Sequence, residues 1–566
     1  KSDLVSHLEI QDVFWNHPDE FITKLKDVVD IEKLIEYNNY DVLSLAIIFY
    51  RYNEFINNSQ TLISLKEKGA DIKNIYDYQT SPAFVFKLQL EHERINEIKL
   101  PEITVEDYDI IRNTTAGRND VFNKPGAKYG EIVSVDFTSL YPTNCFVVEE
   151  LYPAGDLERG VMNEEEILIL DTELDTFNSL VNLGYYCVNI DQSDLVRRKK
   201  PLIMCFRSAS GNNFNYEESV IIQKEVYLPT KDINELVKHG CKITFCMDKK
   251  YIRFTSNIKA HALFSYLAGF MLEKNNQDEI AHAIEMHEEY EGEYVPYIRS
   301  LCKLLMNCIS GKYYEKIVEW TTGQYSKDAY MSGNLVLTDI EGTPVYIGQA
   351  NSRNVILKYK KKREKLRPKK IYIGSFIYAN SRSFVYNNLL THLEQDDCLY
   401  QDTDSLKVTK EVFEAKLLPI LSTQVIPHCQ EIELIDPRYI GAVFFNPEDQ
   451  KRKIFGGLVN EISKNNLTYV NDKKEYASFL VTEEGVNLIK FCMKGIRPKS
   501  LIIESIEDFN KVDKSMELID LMNIAINEHN VIFLCLIHEN PNSDKARGHF
   551  GTEMMNKAST VIQVNF

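Results

Sequence analysis

The sequence predicts an α+β protein, from three stretches. The first is "EIVSVDFTSLYPT" (131–143), a short β-branched strand over Ile132–Val135 that ends at Asp136 and turns into a helix. The second is "YVPYIRSLCKLLMNCISGKYY" (294–314), helical in pattern as far as Gly311. The third is "YQDTDSL" (400–406), an otherwise apolar, strand-like run carrying two carboxylates.

In the first stretch Asp136 sits at a strand's carboxyl end beside a polar turn. There it can cap the following helix or hold a cation. In the second, Arg299, Lys303 and Asn307 recur every four residues and share one face. Leu301, Leu304, Leu305 and Cys308 cover much of the remainder as a core side. The basic edge is either an ordinary solvated face or a positive rail for a polyphosphate, where Lys serves as a point charge. In the third, Asp402 and Asp404 flank Thr403, and on an extended strand residues i and i+2 point the same way. Burying two like charges together is costly unless a positive partner compensates them. A water-exposed turn and a divalent-cation site both remain open from this stretch alone.

At 566 residues the chain is long enough for about three or four domains. Its 44% hydrophobic and 26% charged content is that of a globular protein. No run of about 18 apolar residues and no secretory signal occurs, so no membrane association is expected. The 11 cysteines include no C-x-x-C pair, and Cys241/Cys246 and Cys302/Cys308 lack His partners at zinc-site spacing. Reduced thiols in a cytoplasmic compartment are expected. A net charge of −18 argues against indiscriminate nucleic-acid binding. Yet "KYKKKREKLRPKK" (358–370) concentrates positive charge, as a solvated loop or as a site that meets phosphates.

Taken in order, "DFTSLYP", "KLLMNCISGK" and "YQDTDS" resemble motifs A, B and C of family B DNA polymerases. Within that family the chain looks most like the protein-primed branch of phages and linear plasmids. "TAGRNDVF" (115–122) resembles the glycine-rich segment between exonuclease and polymerase domains. "YANSRS" (378–383) resembles the helix before motif C, and "KEY" (474–476) the Lys-x-Tyr motif near the primer terminus. The resemblance covers roughly residues 30–490.

The resemblance implies a right-hand polymerase performing template-directed deoxynucleotide addition by two-metal-ion phosphoryl transfer. Residues 1–60 would be the remnant of a 3′–5′ exonuclease domain and 61–125 a linker region. The palm would occupy 126–260, with a first insertion at about 144–255, and the fingers 261–314. A second, basic insertion would span 315–370, palm with motif C 371–445, and a thumb 446–496. Asp136, the Phe137 carbonyl and Asp404 would hold two Mg²⁺ ions, which Mn²⁺ can replace, with Asp402 close by as a further catalytic carboxylate. Lys303 and Arg299 would grip the triphosphate. Asn307 would shape the nucleotide pocket along with Phe137, Ser139 and Leu140, and Tyr141 would exclude a 2′-hydroxyl. Gly117, Arg118, Lys474 and Tyr476 would contact DNA, as would Lys360, Lys361, Lys362 and Arg363 of the basic run. DNA template and primer, deoxynucleoside triphosphates and a terminal priming protein are the implied partners.

The chain departs from the family pattern at motif B, where Ser310 stands for the usual tyrosine, and at motif C, where Gln401 replaces a small residue. "YNNYD" (37–41) resembles the third exonuclease motif through Tyr37 and Asp41, but no D-x-E motif precedes it. The chain is therefore expected to begin inside that domain. After Arg497 a strand–helix–strand pattern resembles part of a RecA-like ATPase core, with Glu504, His538 and Arg547–Thr552 at its nucleotide or DNA side. No G-x-x-x-x-G-K-[ST] occurs, so this tail (497–566) is assigned no catalysis. The competing expectation is a catalytically impaired DNA-binding remnant of a replication protein, or a fusion with a RecA-like ATPase.

Overall fold

A computed structural model describes residues 50–492, apart from short stretches that include 207–217, 363–365 and 473–474. Beyond these it describes Ile47 and the strands Ser500–Ile503 and Ile532–Cys535. Tyr37, Asp41, Arg363, Lys474, Glu504, His538 and the 547–552 loop lie outside the described residues. Helices and several separate sheets make up the structure, the α+β class expected. The chain divides into two compact units, residues 1–122 with 133–461, and residues 123–132 with 462–566.

The first unit is organised on a five-stranded sheet. Its strand order is Asn119–Val121, Cys398–Asp402, Ser405–Thr409, Ile132–Phe137 and Leu458–Asn460. Ile132–Phe137 is buried at every position except Asp136, as its near-continuous apolar sequence requires of a strand covered on both faces. Val135, Phe137, Leu406 and Val408 join one core cluster, in which the Phe137 ring meets Phe384 edge-on at 5.2 Å. Asp136 alone stays half-exposed at the strand's end.

A second core is helical. The helix Pro296–Tyr313 packs against Ala268–Met286, Ser81–Ile95 and Ile371–Asn388. Pro296 stands in its first turn, where the missing N–H costs no hydrogen bond. The helix runs through Gly311 to Tyr313, beyond the expected stop. Leu301, Cys302, Leu305, Met306, Ile309, Ser310 and Tyr313 are its buried residues. Leu304, expected on the core side, is 47% exposed. Packing against three neighbouring helices draws Met306 and Ile309 inward and leaves Leu304 beside the exposed Lys303.

The expected first insertion holds a separate five-stranded sheet, and the expected second a three-stranded one. In the latter, Asn354–Lys361 is the central strand. The basic run is therefore not one solvated loop, since its first four residues are paired in a sheet. Lys358 Nζ lies 5.4 Å from the Trp320 ring centroid, and Lys360 meets Glu341 at 2.9 Å.

The second unit contains a four-stranded antiparallel sheet ordered Gly485–Cys492, Glu475–Thr482, Leu467–Asp472 and Ala127–Tyr129. Ser500–Ile503 and Ile532–Cys535 pair in parallel.

Candidate active site

Asp402 and Asp404 do not share a strand. Asp402 closes Cys398–Asp402 and pairs with Ser405, leaving Thr403 and Asp404 as a two-residue hairpin turn. Thr403 takes the left-handed conformation, φ 56°, that such a turn demands. The Phe137 N–H donates to the Asp404 carbonyl at 2.8 Å, which joins the turn to the end of the Asp136 strand. Three carboxylates from two stretches far apart in the chain are thus brought to one end of the sheet's central strands.

Their environments differ. The Asp404 carboxyl is pushed up to about 6, first by burial, then by the negative charges of Asp402 and Glu461; Lys303 and a backbone hydrogen bond act in the opposite sense. Asp402 is held by the chain itself. Its Oδ1 accepts from Asn119 Nδ2 at 3.2 Å and from Thr403 Oγ1 at 3.4 Å, and its Oδ2 from Tyr400 Oη at 3.3 Å. Carboxylate oxygens are hard donors that fit Mg²⁺ or Mn²⁺, and burial beside Asp402 and Glu461 leaves the charge of Asp404 under-compensated. Asp136 and Asp404 are carboxylates that could hold such ions.

The glycine-rich segment braces this hairpin. Asn119 pairs with Asp402 in the sheet register, and Thr403 N–H donates to the Arg118 carbonyl at 2.7 Å. Gly117 is required by space, since a methyl there would lie 2.7 Å from Thr403 Cγ2 and 2.9 Å from Tyr141 Oη. Arg118 is buried, its guanidinium donating to Asp120 at 2.9 Å and to the Leu202 carbonyl at 2.5 Å, and stacks 4.7 Å over Phe122. Arg382, from "YANSRS", donates to the Thr115 and Ala116 carbonyls and to Asp232. Both arginines therefore fix the loop from inside.

A cationic edge faces the carboxylates. Lys303 is exposed on its helix and close enough to Asp404 to oppose its pKa rise. Arg299 pairs through Nε with the buried Asp278, which also binds Lys274. Lys453 completes the edge. Its ammonium is pushed down, first by burial, with Arg299 and Lys303 acting in the same sense and Asp278 and Asp136 opposing. The other four groups thus lie within electrostatic reach of Lys453. Lys453 was not foreseen. A backbone clasp brings it there: Thr138 N–H donates to the Gly457 carbonyl at 2.8 Å, and Gly456 N–H to the Thr138 carbonyl at 3.2 Å. Gly456, at φ 77°, takes a conformation that side-chain-bearing residues resist. "KRK" ahead of Gly-Gly is the only trace of this in the sequence.

Tyr141 is largely buried beside the turn, its ring edge-on to Tyr378 at 5.3 Å, and Tyr378 is edge-on to Tyr314 at 5.1 Å. Burial, then Tyr378 and Asp404, raise the Tyr141 phenol well above its ordinary range. Ser310 is buried and hydrogen-bonded to Tyr378, so a tyrosine from a different helix packs near the residue that departs from motif B. Leu140 is buried, Ser139 is half-buried with φ 55°, and Asn307 is half-buried, its carbonyl accepting from Ser310 Oγ at 3.2 Å. Lys361 and Lys362 are exposed in the separate three-stranded sheet region. Tyr476 belongs to the second unit, on the strand Glu475–Thr482.

No family model matches the chain, and no curated protein matches it. Solved structures do. Phi29 DNA polymerase complexed with primer-template DNA and incoming nucleotide substrates gives a TM-score of 0.45 at 15% identity, over 80% of this chain and 64% of that one. Its post-translocation binary complex with primer-template DNA gives 0.44 at 13% identity, over 77% and 62%. The family B DNA polymerase of the hyperthermophilic archaeon Pyrobaculum calidifontis gives 0.22 at 10% identity, over 73% and 33%. The chain spans 62–64% of the length of the Phi29 polymerase chains named here.

Proposed function

We propose that the chain is a DNA-directed DNA polymerase of the family B type, adding deoxynucleotides to a primer with two Mg²⁺ ions as cofactor. The observation that carries this reading is the convergence of Asp136, Asp402 and Asp404 at one end of the sheet's three central strands, with Lys303 near Asp404 and Lys453 near Asp136. Acidic groups beside basic ones suit a substrate that is a metal-chelated polyphosphate.

Each set of groups has its own task. Bound at Asp136 and Asp404, the ions would lower the barrier by activating the primer hydroxyl and stabilising the leaving pyrophosphate. Lys303, with Arg299 held by Asp278, orients the triphosphate. Asp402, restrained by Asn119, Tyr400 and Thr403, supports Asp404 from behind. The Tyr141 ring beside the turn forms the floor that excludes a 2′-hydroxyl. Template and primer are the DNA partners, and a terminal protein as primer belongs to the same reading.

Extension of a labelled primer on a template with Mg²⁺ and all four deoxynucleotides tests it. Addition of templated nucleotides, lost in Lys303→Ala at limiting nucleotide and recovered in part at high nucleotide, is expected. DNA binding without any metal-dependent extension by the wild-type chain would instead make it a non-catalytic DNA-binding protein.

A further inference from the structure

Elsewhere in the first unit, three side chains of metal-binding type converge from two segments far apart in the chain, His261 from one and Cys429 with Glu431 from the other. One ring nitrogen of His261, the Cys429 thiol and a Glu431 carboxylate oxygen all lie within 4.8 Å of one another. His261 Nε2 stands 3.1 Å from Glu431 Oε1. Zinc–ligand bonds of about 2.0–2.2 Å at tetrahedral angles separate two N/O ligands by about 3.3 Å, so this edge is already near its ligated length. On the other side of the ring, His261 Nδ1 is buried without a hydrogen-bond partner among the described residues, 3.7 Å from Glu149 Oε1. A carboxylate there is the usual orienting group behind a metal-bound imidazole.

The backbone around these groups is built rather than loose. Cys429 N–H donates to the Val147 carbonyl at 2.8 Å, Val148 bridges His428, and Ala260 N–H donates to the Glu150 carbonyl at 2.7 Å. The segments bearing Glu149, His261 and Cys429 are therefore stitched together before any ion arrives. Cys429 is 4% exposed while the Glu431 side chain is half-exposed, which leaves an approach from one side.

We propose that His261 Nε2, Cys429 Sγ and Glu431 form a Zn²⁺ site, with Glu149 orienting the imidazole and water in the fourth position. One thiolate, one imidazole and one carboxylate suit zinc and other borderline-soft ions, not Mg²⁺. The site uses none of the hairpin carboxylates, and its role is to clip two chain segments together, with a third held through Glu149.

The test uses the full chain, stripped with a chelator and then titrated with Co²⁺ in excess Mg²⁺. One equivalent should produce a thiolate-to-cobalt charge-transfer band in the near ultraviolet, displaced by Zn²⁺, and Zn²⁺ should raise the thermal midpoint. Cys429→Ser should abolish the band and His261→Asn should weaken binding. Glu149→Gln should weaken it by about tenfold to a hundredfold, as loss of an orienting carboxylate does elsewhere. Glu431→Gln, at a half-exposed side chain, provides a variant whose folding is not at stake, and it too should weaken binding. Asp404→Asn should keep the band, which separates this site from the polymerase reading. No thiolate band at equimolar Co²⁺ in the wild type, or an undiminished band in Cys429→Ser, overturns the proposal.

Discussion

Gly117→Ala places one methyl group against the turn that carries Asp404. The added carbon would stand 2.7 Å from Thr403 Cγ2, 2.9 Å from Tyr141 Oη and 3.0 Å from Thr403 Oγ1. Carbon–carbon separation is comfortable near about 3.5 Å or beyond, so the Thr403 side chain and the Tyr141 hydroxyl must give way by roughly 0.5–1 Å, and the expectation is that the turn moves with them. The chain has little freedom to absorb this, because Thr403 N–H is bonded to the Arg118 carbonyl at 2.7 Å and Asn119 is paired with Asp402. Overpacking of this kind costs about 1–3 kcal/mol of stability. A misplacement of about 1 Å of a catalytic group costs about a hundredfold in rate. Single-turnover primer extension at saturating Mg²⁺, beside thermal melting, measures the two effects separately. A modest fall in melting midpoint with a fall in extension rate of about a hundredfold is expected. Wild-type rate and midpoint in Gly117→Ala would refute the idea that this segment braces the hairpin.

Tyr141→Val should raise ribonucleotide incorporation about tenfold or more, the scale of a few kcal/mol of steric exclusion; equal discrimination in wild type and variant places the gate elsewhere. Replacing Lys360, Lys361 and Lys362 by Gln should weaken DNA binding and flatten its salt dependence, by about one unit of slope for each phosphate no longer neutralised. An unchanged slope returns these residues to the role of sheet and surface charges. Burial opposes ionisation of Glu235, yet hydrogen bonds from His239 and Ser383 with the charge of Lys238 outweigh it and lower its pKa from 4.5 to about 2. A carboxyl depressed on folding stabilises the protein above its ordinary pKa and ceases to do so as pH falls through the folded value. Wild-type stability should therefore drop by on the order of 3 kcal/mol between about pH 5 and pH 2 from this group, and Glu235→Gln should lack that component; parallel pH–stability curves would remove it.

The order of the three carboxylate- and lysine-bearing stretches was readable because each lies in a short segment with strong local pattern. The strand ending at Asp136 is signalled by Ile132, Val133 and Val135, and the helix carrying Lys303 by its four-residue spacing. The strand ahead of Asp402 was legible but not the two-residue turn that ends it. No Asn-Gly or Asp-Gly marks the turn, and Thr403 enters the left-handed region under hydrogen bonds from outside the hairpin. Lys453 and Asn119 escaped because their positions depend on a backbone clasp at Thr138 and on a short edge strand, both long-range pairings. His261 and Cys429 are both tied to the Val147–Glu150 backbone by long-range hydrogen bonds of their segments, so no spacing rule could join them. The sheet over Asn354–Lys361 was hidden by its own charge, which reads as loop until Trp320 and Glu341 are seen to partner it.

Whether Asp136 and Asp404 hold catalytic ions is decided by single-turnover extension of a primed template by Asp404→Asn and Asp136→Asn, beside a gel-shift assay in EDTA. Each substitution keeps the side chain's size and removes the charge. Extension should fall by on the order of 10²–10⁴ in both, by analogy with other preorganised electrostatic groups. Asp402→Asn should be milder, because Asn119, Tyr400 and Thr403 already hold that side chain. Metal-free DNA binding should persist in all three, since carboxylates repel phosphate. Extension at the wild-type rate by Asp404→Asn, with DNA binding intact, would contradict the assignment and leave the pair as a structural turn.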